Sequence, residues 1–298
     1  MGLRAERRAR FTSRGLAALV LLAPLASSAQ PIPQCKLPSA LAALPELTEA
    51  SGVAASRTMP GRFWTHNDSG QPVLFALDRG GNVVGRLRLT GATVDDWEAV
   101  AVGQCASGSC IYVADIGDNG GGRDRIAIYR VAEPRDASGS AQVDVFHATY
   151  PDGARDAEAL LAARDGRLYI VAKGDKAPIS LYRFPDELKA GTTMRLERVG
   201  EPRAPRAPAA ADRITDGTVS PDDQWVVLRS SHTLTFYKTA DLLAGHWREA
   251  GRIPLALLKE PQGEGVTFGA DGSIYVVGEG GGKGRPGTFA QLSCAPHP

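Results

Sequence analysis

Several features that would mark particular classes of protein are scarce in this 298-residue chain. It has five histidines and four cysteines, with no Cys-x-x-Cys spacing, which argues against a zinc site. Gly-x-Ser-x-Gly and His-Glu-x-x-His are absent, so neither that type of serine hydrolase nor that type of zinc protease is indicated. The hydrophobic share of 43% and the charged share of 22% exclude a disordered or coiled-coil chain.

The chain has no large excess of positive or negative charge, but its near-neutral net charge is the sum of two oppositely charged parts. The formal net charge of the chain is +1. Residues 1–29 carry five arginines and one glutamate, a net of +4, so the remaining residues carry about +1 − 4 = −3. A mildly acidic chain attracts nucleic acid poorly, and we therefore expect no nucleic-acid partner.

The N-terminal segment predicts a signal peptide over residues 1–29. A basic stretch from Arg4 to Arg14 precedes an apolar run from Leu16 to Ala26, and the small residues of 27–29 follow it. The apolar run is about 11 residues long, whereas a spanning helix needs roughly 20. We therefore expect a monomer with no integral membrane segment after cleavage, exported to the periplasm or secreted, with residues 30–298 forming one domain.

The four cysteines fit an oxidising compartment and allow three pairings. Cys105 and Cys110 flank Ala-Ser-Gly-Ser, which indicates a hairpin turn clipped by a disulfide. Cys35 and Cys294 then remain, one near each end of the mature chain, and a bridge between them would contribute about 5 kcal/mol in the chain-entropy model. Two metal-binding cysteine pairs are the alternative.

The strongest signal is an internal repeat. Each copy has an acidic residue, a short apolar strand, a Gly or Asp turn and a second apolar strand. The acidic residues are Glu49 in a weaker first copy, then Glu98, Glu158, Asp216 and Glu264. Their intervals are 49, 60, 58 and 48 residues, a mean of about 54, which fits five units into residues 30–298. Asp-Gly turns at 165–166 and 271–272 are typical of hairpins.

About four strands in each unit of this length predict an all-β fold, a single five-bladed β-propeller. A six-bladed ring is the alternative, whereas a β-sandwich or two smaller β domains would not explain five copies at one period. The last unit stops after about three strands, so we expect residues 35–48 to add its outer strand and close the ring. The tryptophans Trp64, Trp97 and Trp225 are expected to pack between blades.

Five short motifs carry a family resemblance. They are residues 64–70 (WTHNDSG), 96–98 (DWE), 115–119 (DIGDN), 156–160 (DAEAL) and 262–264 (QGE). With them the chain resembles a family of secreted bacterial β-propeller proteins, and more distantly it is similar to gluconolactonase/regucalcin-like and esterase-like propellers. The wider resemblance implies a divalent cation in the central channel. Asp216 departs from the pattern, because the other units carry Glu there.

The acidic residues of the repeat predict a site in the channel. The first strand of each unit would line the channel, so the acids would converge near one mouth, together with polar residues that end the second strands. The candidate metal ligands are Asn67, Asp68, Glu98, Asp115, Glu158, Asp216, Glu264 and Glu279, with His66, Lys173 and Arg229 as auxiliary groups. Oxygen ligands in this number suit Ca²⁺. The alternatives are acids that hydrogen-bond the neighbouring blade, and acid–base catalysis without metal.

A second candidate metal site is the glycine-rich loop of residues 115–124. Asp118, Asn119 and Asp124 space oxygen ligands along it as a Ca²⁺ loop would, although the spacing is not that of an EF-hand. A turn held by Asx hydrogen bonds is the alternative.

Three functions remain open from the sequence. The first is a binding or scaffold propeller whose acidic channel holds Ca²⁺ and whose partner is a small molecule or a protein. The second is a metal-dependent hydrolase of a lactone or ester, in which the cation polarises the carbonyl and a channel carboxylate acts as base. The third is a partner-binding protein that uses its exposed blade loops.

Overall fold

The computed structural model describes residues 1–2, 31–202, 208–282 and 284–295. The expected signal peptide over residues 1–29 lies outside the described residues, except for its first two. Residues fall into two units, Met1–Pro31 and Ile32–Pro298, and everything below concerns the second.

The second unit is almost entirely β-structure. In chain order its strands are β1 Cys35–Lys36, β2 Ala42–Leu44, β3 Ala50–Ala55, β4 Phe63–Asn67, β5 Val73–Leu77, β6 Val83–Thr90, β7 Trp97–Cys105, β8 Gly108–Asp115, β9 Ile126–Ala132, β10 Gly139–Gln142, β11 Asp144–Thr149, β12 Ala157–Ala162, β13 Leu168–Ala172, β14 Leu181–Arg183, β15 Thr193–Arg195, β16 Glu197–Gly200, β17 Ile214–Val219, β18 Trp225–Ser230, β19 Thr233–Lys238, β20 Glu249–Pro254, β21 Gln262–Phe268, β22 Ile274–Glu279 and β23 Gly287–Cys294.

Helix is confined to three short segments among the described residues. One is the α-helix α1, Thr239–Leu243, and two are 3₁₀ turns, Ala210–Asp212 and Ala256–Leu258. None of these described helices has the length and apolar character needed to cross a bilayer.

The strands form five sheets, each built as an antiparallel meander. Blade 1 contains β3–β6, blade 2 contains β7–β9 and β11, blade 3 contains β12–β14 and β16, blade 4 contains β17–β20, and blade 5 contains β21–β23. The first strands of the blades, β3, β7, β12, β17 and β21, contact one another in sequence and then back to β3. The predicted five-bladed propeller is therefore confirmed, and the ring has five blades rather than six.

The N-terminal strands close the ring. β1 and β2 both pair antiparallel with β23, so they supply the outer strand that blade 5 lacks. Cys35 stands opposite Cys294 in this pairing, and the two form a disulfide. A second disulfide joins Cys105 to Cys110 across the β7–β8 hairpin. Both predicted pairings are confirmed, and they suit a chain that folds in an oxidising compartment.

Two short strands connect neighbouring blades. β10 lies between β9 and β11 in the chain, yet it pairs in parallel with β6, the outer strand of blade 1. β15 likewise leaves blade 3 to pair in parallel with β11, the outer strand of blade 2. The outer edges of blades 1 and 2 are thus covered by segments of the following blade.

The hydrophobic core lies between adjacent blades. Trp64 and Trp97 pack in one apolar cluster between blades 1 and 2, and Trp225 packs in another between blades 4 and 5. These indoles are at most 1% exposed, as expected for residues that hold blades together. Burial of such large side chains is the main stabilising term of the ring.

Every inner strand has a register shift near its N-terminal end. The shifts fall between Ala50 and Val53, Trp97 and Ala99, Ala157 and Ala159, Ile214 and Asp216, and Gly263 and Val266. A β-bulge leaves an extra residue out of the ladder and redirects its side chain. The extra residues include Glu98, Glu158 and Glu264, so the same irregularity in each blade positions the repeated acids.

Candidate functional site

The N-terminal ends of the inner strands bring a set of acidic side chains to one mouth of the channel. Three come from the bulges, two precede inner strands, one follows β4 and one ends β22, and a lysine follows β13. We call this set the acidic mouth; its members are Glu98, Glu158 and Glu264, then Asp96 and Asp156, then Asp68 and Glu279, with Lys173. Each carboxyl group lies close enough to others to influence their ionisation.

Three carboxylates of the acidic mouth converge most closely. Glu98, Asp156 and Glu158 each offer an oxygen, and the three oxygens lie within 4.8 Å of one another. The side chains of Asp156 and Glu158 are 5% and 3% exposed. Burial and mutual repulsion raise the pKa of Glu98 and of Glu158 well above the usual value, since both disfavour the charged form. A cation among these oxygens would remove that cost.

Lys173 is the cation that the chain itself supplies to this cluster. Its Nζ contacts Glu158 Oε1 and lies 3.3 Å from Asp156 Oδ2. Although burial opposes it, the neighbouring carboxylates raise the pKa of Lys173, so the amine stays charged. One lysine cannot balance three ionised carboxylates, so without a further cation the raised pKa values favour protonation within the cluster.

Glu98 is held from two sides. Ser51 Oγ, at the bulge of blade 1, donates to Glu98 Oε2 at 3.1 Å and to the Glu98 carbonyl at 2.9 Å. Gly117 packs against Asp96 and Glu98 so closely that a Cβ there would lie 2.4 Å from the Asp96 carboxyl. The glycine of the Asp-Ile-Gly-Asp-Asn segment therefore allows these two acids to approach the loop without being displaced.

Three further carboxyl groups lie around the same mouth in less crowded positions. Burial raises the pKa of Glu264 to about 7, although Gln262 Nε2 donates to Glu264 Oε1 at 2.8 Å. Burial and the charges of Glu264 and Asp68 raise the pKa of Glu279 to about 7. Burial and Glu49 raise the pKa of Asp68 to about 6. These groups can take up or release a proton near neutral pH.

Blade 4 departs from the alignment that the sequence suggests. The position equivalent to Glu98 is Thr215, because the bulge of blade 4 falls between Ile214 and Asp216. Thr215 Oγ1 donates to the Glu264 carbonyl of blade 5 at 2.9 Å. Asp216 Oδ2 accepts from the Val266 backbone N–H at 2.8 Å, and burial raises its pKa well above the usual value. Asp216 thus joins blades 4 and 5 and is displaced by one residue from the other acids.

Arg229 faces the body of blade 5. It is fully buried, and its guanidinium donates to the carbonyls of Gly265 and Val277 at 2.6 and 2.8 Å. Its other nitrogen pairs with Glu260 Oε2 at 2.5 Å, in an ion pair whose partners are 0% and 3% exposed. A buried pair of this kind fixes geometry, and losing one partner strands the other charge.

Asn67 and His66 end β4; Asn67 contacts its own blade, and His66 also contacts blade 2. Asn67 Oδ1 accepts from the Glu49 backbone N–H at 3.1 Å. His66 is fully buried, and its Nδ1 lies 3.1 Å from the Asn67 carbonyl. Burial lowers the pKa of His66 to about 4, so its ring is neutral at neutral pH. The imidazole packs edge-on against Trp97, and this pair of rings forms part of the contact between blades 1 and 2.

The carboxylates of the 115–124 loop are engaged by backbone and arginine. Asp115 accepts the backbone N–H groups of Asp95 and Asp96, each at 3.1 Å, and pairs with Arg123 at 2.7 Å. Asp118 accepts the N–H groups of residues 121, 122 and 123 at 2.8 to 3.0 Å. This is the Asx-type turn that the sequence left as the alternative. The loop's other predicted ligands are Asn119, whose carbonyl accepts from Lys176, and Asp124, which is exposed.

Asp96 and Asp156 were not among the residues predicted from the sequence. Each stands two residues before a bulged glutamate, in Asp96-Trp97-Glu98 and Asp156-Ala157-Glu158. That shared spacing was visible in the sequence and could have identified both. Glu260 left no such signal, because it reaches Arg229 from a connecting loop outside the repeat pattern.

The sequence matches no protein-family model and no curated protein. Three solved structures illustrate what the chain is similar to. The PQQ-bound aldose sugar dehydrogenase of Streptomyces coelicolor is 13% identical, with a TM-score of 0.51 over 90% of this chain and 100% of its own. A gluconolactonase of Xanthomonas campestris is 13% identical, with a TM-score of 0.47 over 83% of this chain and 73% of its own.

The third structure is regucalcin of Agrobacterium tumefaciens, a calcium-binding protein. It is 12% identical, with a TM-score of 0.44 over 86% of this chain and 96% of its own. The similarity to the dehydrogenase, at 13% identity and a TM-score of 0.51, shows a shared fold and leaves activity open. The function of this chain has to be argued from its own side chains.

Proposed function

We propose that this protein is an exported propeller that binds a divalent cation, Ca²⁺, at the acidic mouth through Glu98, Asp156 and Glu158. The observation that carries the proposal is the convergence of these three carboxylates, whose oxygens lie within 4.8 Å of one another. Calcium binds oxygen ligands at about 2.3–2.6 Å, so two oxygens on one ion lie at most about twice that distance apart. The separations in this cluster meet that condition.

The chemistry of the cluster supports a hard cation. All three candidate ligands are carboxylates, and neither histidine nor cysteine belongs to the described cluster. Glu158 Oε1 and Asp156 Oδ2 are buried, and among the described residues only Lys173 lies beside both as a donor. One ammonium shared between two buried carboxylates leaves acceptor positions unfilled, and a bound cation would satisfy them.

A cation at this position would make the acidic mouth a binding surface for a small molecule or protein that carries oxygen ligands. A mouth lined by carboxyl groups offers little attraction to phosphates, so we expect no nucleic acid as that partner. We expect the protein to act as a monomer, since the ring closes on itself through β1, β2 and β23.

Thermal unfolding tests the proposal. In excess EDTA and then in Ca²⁺ at a hundred times its Kd, the midpoint should rise, because the ligand adds about 2.7 kcal/mol to the folded state. The Asp156→Asn/Glu158→Gln double variant should lose this response. The matched control is Asp186→Asn/Glu187→Gln, which removes two carboxylates that are 73% and 80% exposed. It should respond as the unaltered protein does.

Two results would contradict the calcium proposal. One is an unaltered protein whose midpoint is the same in EDTA and in millimolar Ca²⁺ and which retains no metal by elemental analysis. The other is an equal Ca²⁺ response in both double variants. Either would leave the acids as groups that hydrogen-bond neighbouring blades and pair with Lys173.

A second candidate function is hydrolysis of a lactone or ester at the same mouth. The observation that favours it is the pKa of about 7 for Glu264 and Glu279, which suits a group that takes and returns a proton at neutral pH. When bound, the cation would polarise the substrate carbonyl. In a lactone screen, Glu264→Gln should abolish turnover and keep the Ca²⁺-dependent rise in midpoint. Turnover that survives this substitution would exclude Glu264 as the base.

A further inference from the structure

A cavity of about 410 Å³ opens at the end of the channel opposite the acidic mouth. The C-terminal ends of the inner strands form its walls, and most wall residues are small; Ala54, Ala101, Ala162, Gly217, Thr218 and Thr267 are among them. Small residues at equivalent positions of successive blades leave the channel open at this end. The volume lies in the range of small-molecule sites, which is about 300–1,000 Å³.

Two arginines, Arg57 and Arg164, stand in the lining of this cavity. Both are exposed, and neither forms an ion pair with any residue of the described part of the chain. The lining contains one carboxyl group, Asp223, whose ionisation responds to Arg164. The lining therefore has one positive charge in excess, in contrast to the acidic mouth.

The segment that carries Arg57 is fixed by a buried carboxylate. Glu133, in the connection after β9, accepts the Arg57 backbone N–H at 3.1 and 3.3 Å, Trp64 Nε1 at 3.2 Å and Ser109 Oγ at 2.6 Å. Thr58 Oγ1 also donates to the Pro134 carbonyl at 2.6 Å. The oxygens of Glu133 thus accept hydrogen bonds from backbone and neutral side-chain donors. The Arg57 guanidinium has no ion-pair partner among the described residues, and the segment that carries it is anchored to blade 2.

We propose that this cavity binds a small organic carboxylate, with Arg57 and Arg164 holding the carboxylate and the small wall residues receiving its apolar body. Guanidinium groups donate planar, charge-assisted hydrogen bonds that match a carboxylate. The alanine and valine side chains of the wall can contact the body of an organic ligand, which a bare inorganic anion lacks. The proposal stands independently of calcium, because none of the acidic-mouth residues lines the cavity.

Calorimetric titration with benzoate tests the proposal, in EDTA so that the acidic mouth holds no metal. Benzoate should bind, whereas benzyl alcohol, which keeps the ring and lacks the charge, should bind at least tenfold more weakly. The Arg57→Gln/Arg164→Gln double variant should weaken benzoate binding by tenfold or more, since each lost hydrogen bond to a charged group has an effect of this order. Both arginines are exposed, so the variant should keep the fold, which its unfolding midpoint will check.

The matched control is Arg125→Gln/Arg248→Gln. These arginines are also exposed and lie outside the cavity lining, and the change in net charge is the same. The control should bind benzoate as tightly as the unaltered protein. Equal weakening in the two double variants would overturn the proposal, as would binding of inorganic phosphate as tight as that of benzoate. Absence of any benzoate heat at millimolar concentration would overturn it as well.

Discussion

At the scale of single residues, burial decides how the acids of the channel behave. Glu98, Glu158 and Glu264 occupy equivalent bulges, yet their surroundings differ. Glu98 receives the Ser51 hydroxyl, Glu158 contacts Lys173, and Glu264 receives the Gln262 amide. These partners offset part of the desolvation cost of each carboxylate. The repeat therefore supplies position, and the neighbours decide which acid pairs with a cation and which holds a proton.

The raised pKa of Glu264 predicts a specific dependence of stability on pH. Its value of about 7 in the folded chain exceeds the ordinary 4.5, so the folded state binds the proton more tightly than the unfolded state does. Its contribution to stability is complete below pH 4.5 and is lost as the pH rises through 7. The difference of about 2.5 units corresponds to about 3 kcal/mol.

Urea unfolding in EDTA at pH 4.5 and pH 8 would measure this effect. The free energy of unfolding of Glu264→Gln, relative to that of the unaltered protein, should be larger at pH 8 than at pH 4.5, because the amide never has to lose a proton. Exposed Glu187→Gln is the control and should show no such trend. A constant difference between Glu264→Gln and the unaltered protein at both pH values would contradict the prediction.

At the scale of strands, the repeat predicted the blades well and the register of two blades poorly. In blade 1 the position equivalent to Glu98 is Ser51, two residues after the predicted acid Glu49. Asp-Gly turns and paired apolar runs were enough to locate the first two strands of each blade. The bulge in blade 4 was not visible, because its extra residue is Thr215, which carries no charge to mark it. The neighbouring acid, Asp216, was aligned with the glutamates of the other units instead. That alignment shifts the predicted register of blade 4 by one residue.

The pattern indicated some partners of the predicted side chains and missed others. Lys173 and Glu158 belong to one hairpin, so their pairing follows from strand geometry. Arg229 pairs with Glu260 across blades, through a loop whose path depends on the packing of the whole ring. Periodicity predicts which residues lie at the same end of a sheet. It does not predict which loop residue will contact them.

At the scale of the whole molecule, the two disulfides constrain the chain very differently. Cys35 and Cys294 are 259 residues apart, whereas Cys105 and Cys110 are separated by 5. In the chain-entropy model, the long loop stabilises the fold by about 5 kcal/mol and the short one by about 2 kcal/mol. We expect Cys35→Ser/Cys294→Ser to lower the unfolding free energy by more than twice as much as Cys105→Ser/Cys110→Ser.

Chemical denaturation of the two double variants under identical conditions would check this expectation. The short-loop variant is the control, because it removes the same number of sulfur atoms and leaves the ring closure intact. Equal losses in the two variants would show that local packing around the sulfurs, rather than closure of the ring, determines the effect.

Closure by β1 and β2 also has a consequence for the time at which the protein can become native. These strands are made early, but β23, their only partner strand in the described sheets, ends at residue 294. At roughly 5–20 residues per second, synthesis of the intervening 259 residues takes between about 13 and 52 s. Throughout that interval the emerging chain lacks the strand that closes the ring. A chaperone that delays folding would therefore bind β1 and β2, which are synthesised first and have no partner strand until β23 is made.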